Sequence, residues 1–204
     1  MNKPKPMTLL VPQSLTPAEA ADVVAALREH MDVGDARWLV RKSVDPARDA
    51  PFLQLIGDVA TWLPLSAAAT VFFSTLAKRA ADATWDALAR AFQQKDAKPL
   101  ADVATALGKA MEKSGPATEL IVGLSIPDRH WGTALVIRDA DPVKIAAEFA
   151  VFIAHAEKIA RTMEAEVAAG RAPLGRARIS IEGDTVVVRW MSQGDLAKHE
   201  VRIV

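Results

Sequence analysis

TALVIRDADPVKIAAEFAVFIAHAEKIARTMEAEVAAG, residues 133–170, is followed after a short break by ARISIE, residues 177–182, and the two together carry the pattern from which the fold is read. TALVIRD reads as a strand. Asp141 is then placed to cap a helix, Pro142 suits its first position, and Gly170 ends it. Ile145, Phe149, Phe152, Ala156, Ile159 and Met163 recur at helical spacing and form its apolar stripe. At the α-helical rise this helix is about 43 Å long, roughly the diameter of a domain.

The same grammar occurs near the start. MTLLV, residues 7–11, precedes Thr16, Pro17 and Glu19, a capping box with proline at the first helical position. Val23, Val24, Leu27 and Met31 give the stripe, and ARWLVRK, residues 36–42, follows as a second extended segment. Two strand–cap–proline–helix–strand units sharing one sheet predict a ferredoxin-like plan. Between residues 178 and 204, apolar and charged residues alternate in three runs separated by Gly183-Asp184 and Gly194-Asp195, the signature of antiparallel strands with one wet face. A further hairpin is expected in TELIVGLSIPDRHWGTALVIRD, with its tip at Pro127 to Gly132.

Between these halves, residues 51–113 read as a helical block with helices near 52–63, 66–94 and 99–113. Phe52, Leu55, Ile56, Val59 and Leu63 share one face of the first; Leu100, Val103, Leu107 and Met111 share one face of the last. The fold class that follows is α+β: a single domain over 1–204, with an antiparallel or mixed sheet, two βαβ-like (ferredoxin-like) units, a C-terminal β-meander and a helical insertion at about 51–113.

VATWLPLSAAATVFFSTLAKR, residues 59–79, opens with nineteen uncharged residues, long enough to cross a bilayer. Its seven Leu, Val and Phe residues contribute on the order of −2 to −4 kcal/mol to insertion, and a mid-helix proline, here Pro64, costs about 3 kcal/mol in return. Past the proline the apolar face also swings round the helix, which suits a core with two packing partners better than a lipid contact. A core segment is the expectation, and a hairpin over 52–94 that enters lipid is the alternative.

Composition narrows the functional classes. Lys plus Arg and Asp plus Glu are equal at 25 each, and the longest basic clusters are the pairs Arg41-Lys42 and Lys78-Arg79, so no nucleic-acid footprint is expected. Cysteine is absent, which removes disulfides and thiol chemistry and fits a reducing compartment. The first residues lack the apolar run of a signal peptide, and cytoplasmic location follows as the expectation.

No metal or cofactor motif stands out. The four histidines, His30, His130, His155 and His199, have no ligand spacing among them, and His155 is expected at the rim of the core. Asp139 and Asp141 form a carboxylate pair, but Asp141 is already the helix cap. The best local cluster is Asp128, Arg129, His130 and Trp131, where an acid, a cation, a base and a stacking surface meet at a hairpin tip and would suit a small ligand or proton transfer. Arg178, Glu182, Arg189, Lys198, Glu200 and Arg202 form the wet face of the last strands, a solvated surface or a protein-binding face beside a free edge. The leading expectation is a non-enzymatic interaction or regulatory module that self-associates or binds a protein partner. The alternatives are the membrane-active hairpin and a ligand binder or enzyme centred on the 127–133 turn.

Overall fold

The computed structural model describes residues 6–38, 51–77, 85–125, 132–182 and 185–204. One mixed sheet of eight strands has the order β2-β1-β3-β4-β5-β6-β7-β8. The strands are β1 (Thr8–Val11), β2 (Arg37–Trp38), β3 (Phe52–Gly57), β4 (Glu119–Leu124), β5 (Thr133–Ile137), β6 (Ala177–Glu182), β7 (Thr185–Met191) and β8 (Lys198–Ile203). Apart from β2, spatial order follows chain order.

The capped helices form where the sequence places them. In α1 (Pro17–Arg28) Thr16 accepts from the Glu19 N–H at 3.3 Å and Glu19 accepts from the Thr16 N–H at 3.0 Å. In α6 (Pro142–Ala168) Asp141 accepts from the Val143 N–H at 2.8 Å. Each cap satisfies backbone donors that the first helical turn leaves open. The strands flanking α1 are parallel neighbours, as are those flanking α6. A ferredoxin-like sheet splits each such pair with a strand of the other unit. Here the pairs lie side by side and the sheet departs from that order, while β6, β7 and β8 follow one another antiparallel.

The expected helix over 52–63 is corrected. Phe52–Gly57 is β3, an interior strand antiparallel to β1 and parallel to β4. Neighbours on both sides give it the burial run of an interior strand, with Leu53, Gln54 and Leu55 all buried, so it shows no clean alternation. The chain turns at Asp58, whose carboxylate accepts from the Thr61 N–H at 3.0 Å and caps the short α2 (Val59–Trp62). Leu63–Leu65 is a 3-10 turn containing Pro64, and α3 (Ser66–Ala77) begins after it. The expected helix over 66–94 corresponds to α3 and α4 (Trp85–Phe92), with 78–84 outside the described residues. Last in the crossover is α5 (Lys98–Ser114). The first arm of the expected 52–94 hairpin is thus a strand within the sheet, and no helix among the described residues is long and apolar enough to cross a membrane.

Side chains alternate across the sheet, and the register sorts them. Leu9, Leu53, Leu55, Leu120, Val122, Leu135, Ile137, Ile179, Val186 and Val188 point to the side where the helices lie and belong to one core. α6 lies along that core with Ile145, Phe149, Phe152, Ile159 and Met163 fully buried. Trp62 meets Phe149 and Phe152 edge-on, at centroid separations of 5.9 and 5.3 Å. Gly108 lets α5 approach the turn into α6, since a Cβ there would stand 2.5 Å from the Ala140 carbonyl oxygen.

Candidate functional site

The other side of the sheet carries none of the described helices. Leu10, Ile56, Ile121 and Val136, from four adjacent strands, are half-buried there and lie outside the core. Gln54 is buried among them and accepts from Arg176 Nη1 at 2.6 Å. Because Arg176 immediately precedes β6, this bond spans β4 and β5. Gly123 and Ala134, the residues it passes, are small enough to leave it room. Burial lowers the pKa of the Arg176 guanidinium.

Beyond β5 the same side becomes charged. Arg189 donates to Glu200 at 2.7 Å, to Glu182 at 3.0 Å and to the Ser180 hydroxyl at 2.8 Å. Arg202 pairs with Glu182 at 3.1 Å and Glu200 at 3.2 Å, closing a ring of two cations and two anions. The register puts Val187 between Ser180 and Arg202, inside that ring, and Val187 is fully buried although it is not part of the core. The ring therefore roofs an apolar residue. The hydrogen bonds from Arg189 hold the Glu200 carboxyl below its ordinary pKa. Individual exposed pairs of this kind are worth about 0–1 kcal/mol, so the ring matters more for arranging charge than for stability.

Between the two halves lies a cleft. β5 and β6 stay in register from Thr133↔Ala177 to Leu135↔Ile179, and there the pairing stops. A space of about 310 Å³ follows, lined by Val136 and Arg138, by Arg178, Ser180 and Ile181, and by Glu148 from α6. Arg138 donates to Glu119 at 2.8 Å. Asp139, bound to Lys144 and to the Asp141 N–H, has its pKa lowered. Glu148 shifts the other way: burial, aided by the negative charge of Asp139, raises its pKa from 4.5 to about 7. In its protonated form this carboxylic acid can donate a hydrogen bond, where an ionised glutamate only accepts.

The consequence for stability has a definite sign. Between pH 4.5 and about 7 native Glu148 keeps a proton that the unfolded chain has released, so its contribution falls as pH rises through that window. Glu148→Gln should therefore flatten the decline in melting temperature from pH 5 to pH 8 and leave the variant the more stable protein at pH 8. Parallel melting curves for both proteins across that range would contradict the assignment.

Of the expected site residues, Asp128, Arg129, His130 and Trp131 lie outside the described residues, and only the strands that lead to them are seen, closed by the Ser125↔Gly132 bridge. His155 is deeper than expected: it is buried, edge-on to Phe73 at 5.6 Å. His30 ties the end of α1 to Asp102 of α5 at 3.0 Å. His199 stacks on Trp190 at 5.3 Å. Trp38, at the short β2 strand, is 41% exposed. No cluster of metal-ligating residues occurs among the described residues. Sequence reasoning missed Glu148, Arg138 and the Gln54–Arg176 link. Comparison with known protein families, with curated proteins and with solved structures finds no match.

Proposed function

We propose that the chain is a non-enzymatic cytoplasmic interaction module, folded as one domain, that binds protein through the side of the sheet free of described helices and acts as an oligomer or with a partner. The observation that carries this reading is the position of Leu10, Ile56, Ile121 and Val136 on that side, outside the core. An apolar stretch left on one side of a sheet is the kind of surface a protein partner covers. The charged half beside it supplies the polar margin that fixes orientation.

The test is a photo-crosslinking residue placed at Ile121, with a second at Asp22 on the outer groove between α1 and α5 as the control. In living cells position 121 should yield a discrete protein adduct and position 22 should not. No adduct at 121, or the same adducts from both positions, would overturn the reading.

A further inference from the structure

β8 closes one end of the sheet and pairs only with β7 among the described residues. The Ser192 N–H donates to the Ala197 carbonyl at 2.9 Å, and this bond sets the phase of the β7–β8 ladder. In an antiparallel ladder bonded pairs alternate with non-bonded ones, so Trp190–His199 and Val188–Val201 are bonded pairs. Lys198, Glu200 and Arg202 consequently turn both their N–H and C=O groups away from β7, toward the open edge. Their side chains all project on the charged side of the sheet.

We infer that β8 pairs antiparallel with β8 of a second copy about a two-fold axis at Val201, placing Glu200 of each copy opposite Arg202 of the other. This rests on the reading of the chain as an interaction module and names one partner for it. The pairing joins two eight-stranded sheets into a continuous sheet of 2 × 8 strands. Glu200 and the partner's Arg202 both present outward backbone groups, so they form a bonded pair, and the two-fold axis repeats it.

Charge selects the register. An axis at Glu200 sets that carboxylate against its own copy and, twice by symmetry, Lys198 against the partner's Arg202, three like-charge contacts. An axis at Arg202 opposes two guanidiniums. An axis at His199 brings Lys198 opposite the partner's Glu200, but pairs only residues 198–200 of β8 and leaves Val201–Ile203 overhanging. The axis at Val201 pairs residues 199–203 and sets every charge in that span against its opposite. Edge strands often carry charged side chains that discourage association with other edges. This edge has one extended register in which they attract.

The chain has no cysteine, so a single introduced thiol reports the register without background. Under the inferred pairing Val201 faces its own copy as a non-bonded pair, with Cα atoms about 4.5 Å apart and within disulfide reach. Mild oxidation should convert Val201→Cys to a covalent dimer, and His199→Cys and Glu200→Cys should cross-link much less. By light scattering the unmodified protein should have twice the 21.9 kDa chain mass. Glu200→Arg and Arg202→Glu should each be monomeric, and an equimolar mixture of the two should recover the dimer, because both cross-strand pairs are then complementary again. That recovery also separates loss of pairing from damage to the ion-pair ring. A monomeric unmodified protein, a dimer indifferent to both substitutions, or preferred cross-linking at 199 or 200 would overturn the pairing. A protein that fails here yet forms the Ile121 adduct keeps its interaction face and loses only the β8 pairing. One that dimerises without the adduct keeps the pairing and loses the face.

Discussion

Phe149→Ala lowers the unfolding free energy by about 3–5 kcal/mol, the range for removing a large aromatic from a core. Phe149 is fully buried, and Trp62 stands edge-on to it at 5.9 Å while also meeting Phe152. The three rings join the turn after β3 to the middle of the longest helix. Truncation leaves a void beside Trp62, and α6 cannot collapse into it without leaving the sheet that it covers. Phe149→Leu, which keeps more of the volume, should cost much less. Urea unfolding measures both, and a loss below about 1 kcal/mol for the alanine variant would mean that the core closes over the gap or that these rings are not packed together.

The second large effect separates two neighbours. Leu55→Ala should cost about 2–5 kcal/mol, because Leu55 is fully buried on the helix side of β3. Ile56→Ala should cost about 1 kcal/mol or less, because Ile56 is half-buried on the opposite side and outside the core. Adjacent residues on a strand face opposite ways, whereas on a helix over 52–63 these two would share one apolar stripe and lose similar amounts. Equal losses at 55 and 56 would contradict the strand.

That segment shows where the sequence stops being legible. FLQLIG is short and apolar, and its pattern satisfies helix and strand alike; what decides is that β1 and β4 flank it, a fact held by residues far along the chain. Gln54 looks like the polar side of a helix and turns out to be buried, with a partner 122 residues away. Caps behave differently. Thr16, Glu19 and Asp141 act on backbone groups within a few residues, so local sequence is enough to place them. The charged row from Arg178 to Arg202 was likewise visible, since period-two alternation marks a sheet with one wet face. Glu148 gave no local signal. It lines the space where the β5–β6 pairing ends, and only the assembled sheet creates that space.

The strand order has a further meaning for how the chain is made. From β4 to β8 each strand lies beside the one synthesised just before it. A chain leaving the ribosome can therefore extend its sheet one edge at a time, with no strand held back for a partner not yet translated. The expensive closure is the crossover from β3 to β4, which must bring its helices onto the sheet before the rest can grow. Translation speed through residues 59–118 should therefore govern how long the exposed side of β3 is available to wrong partners.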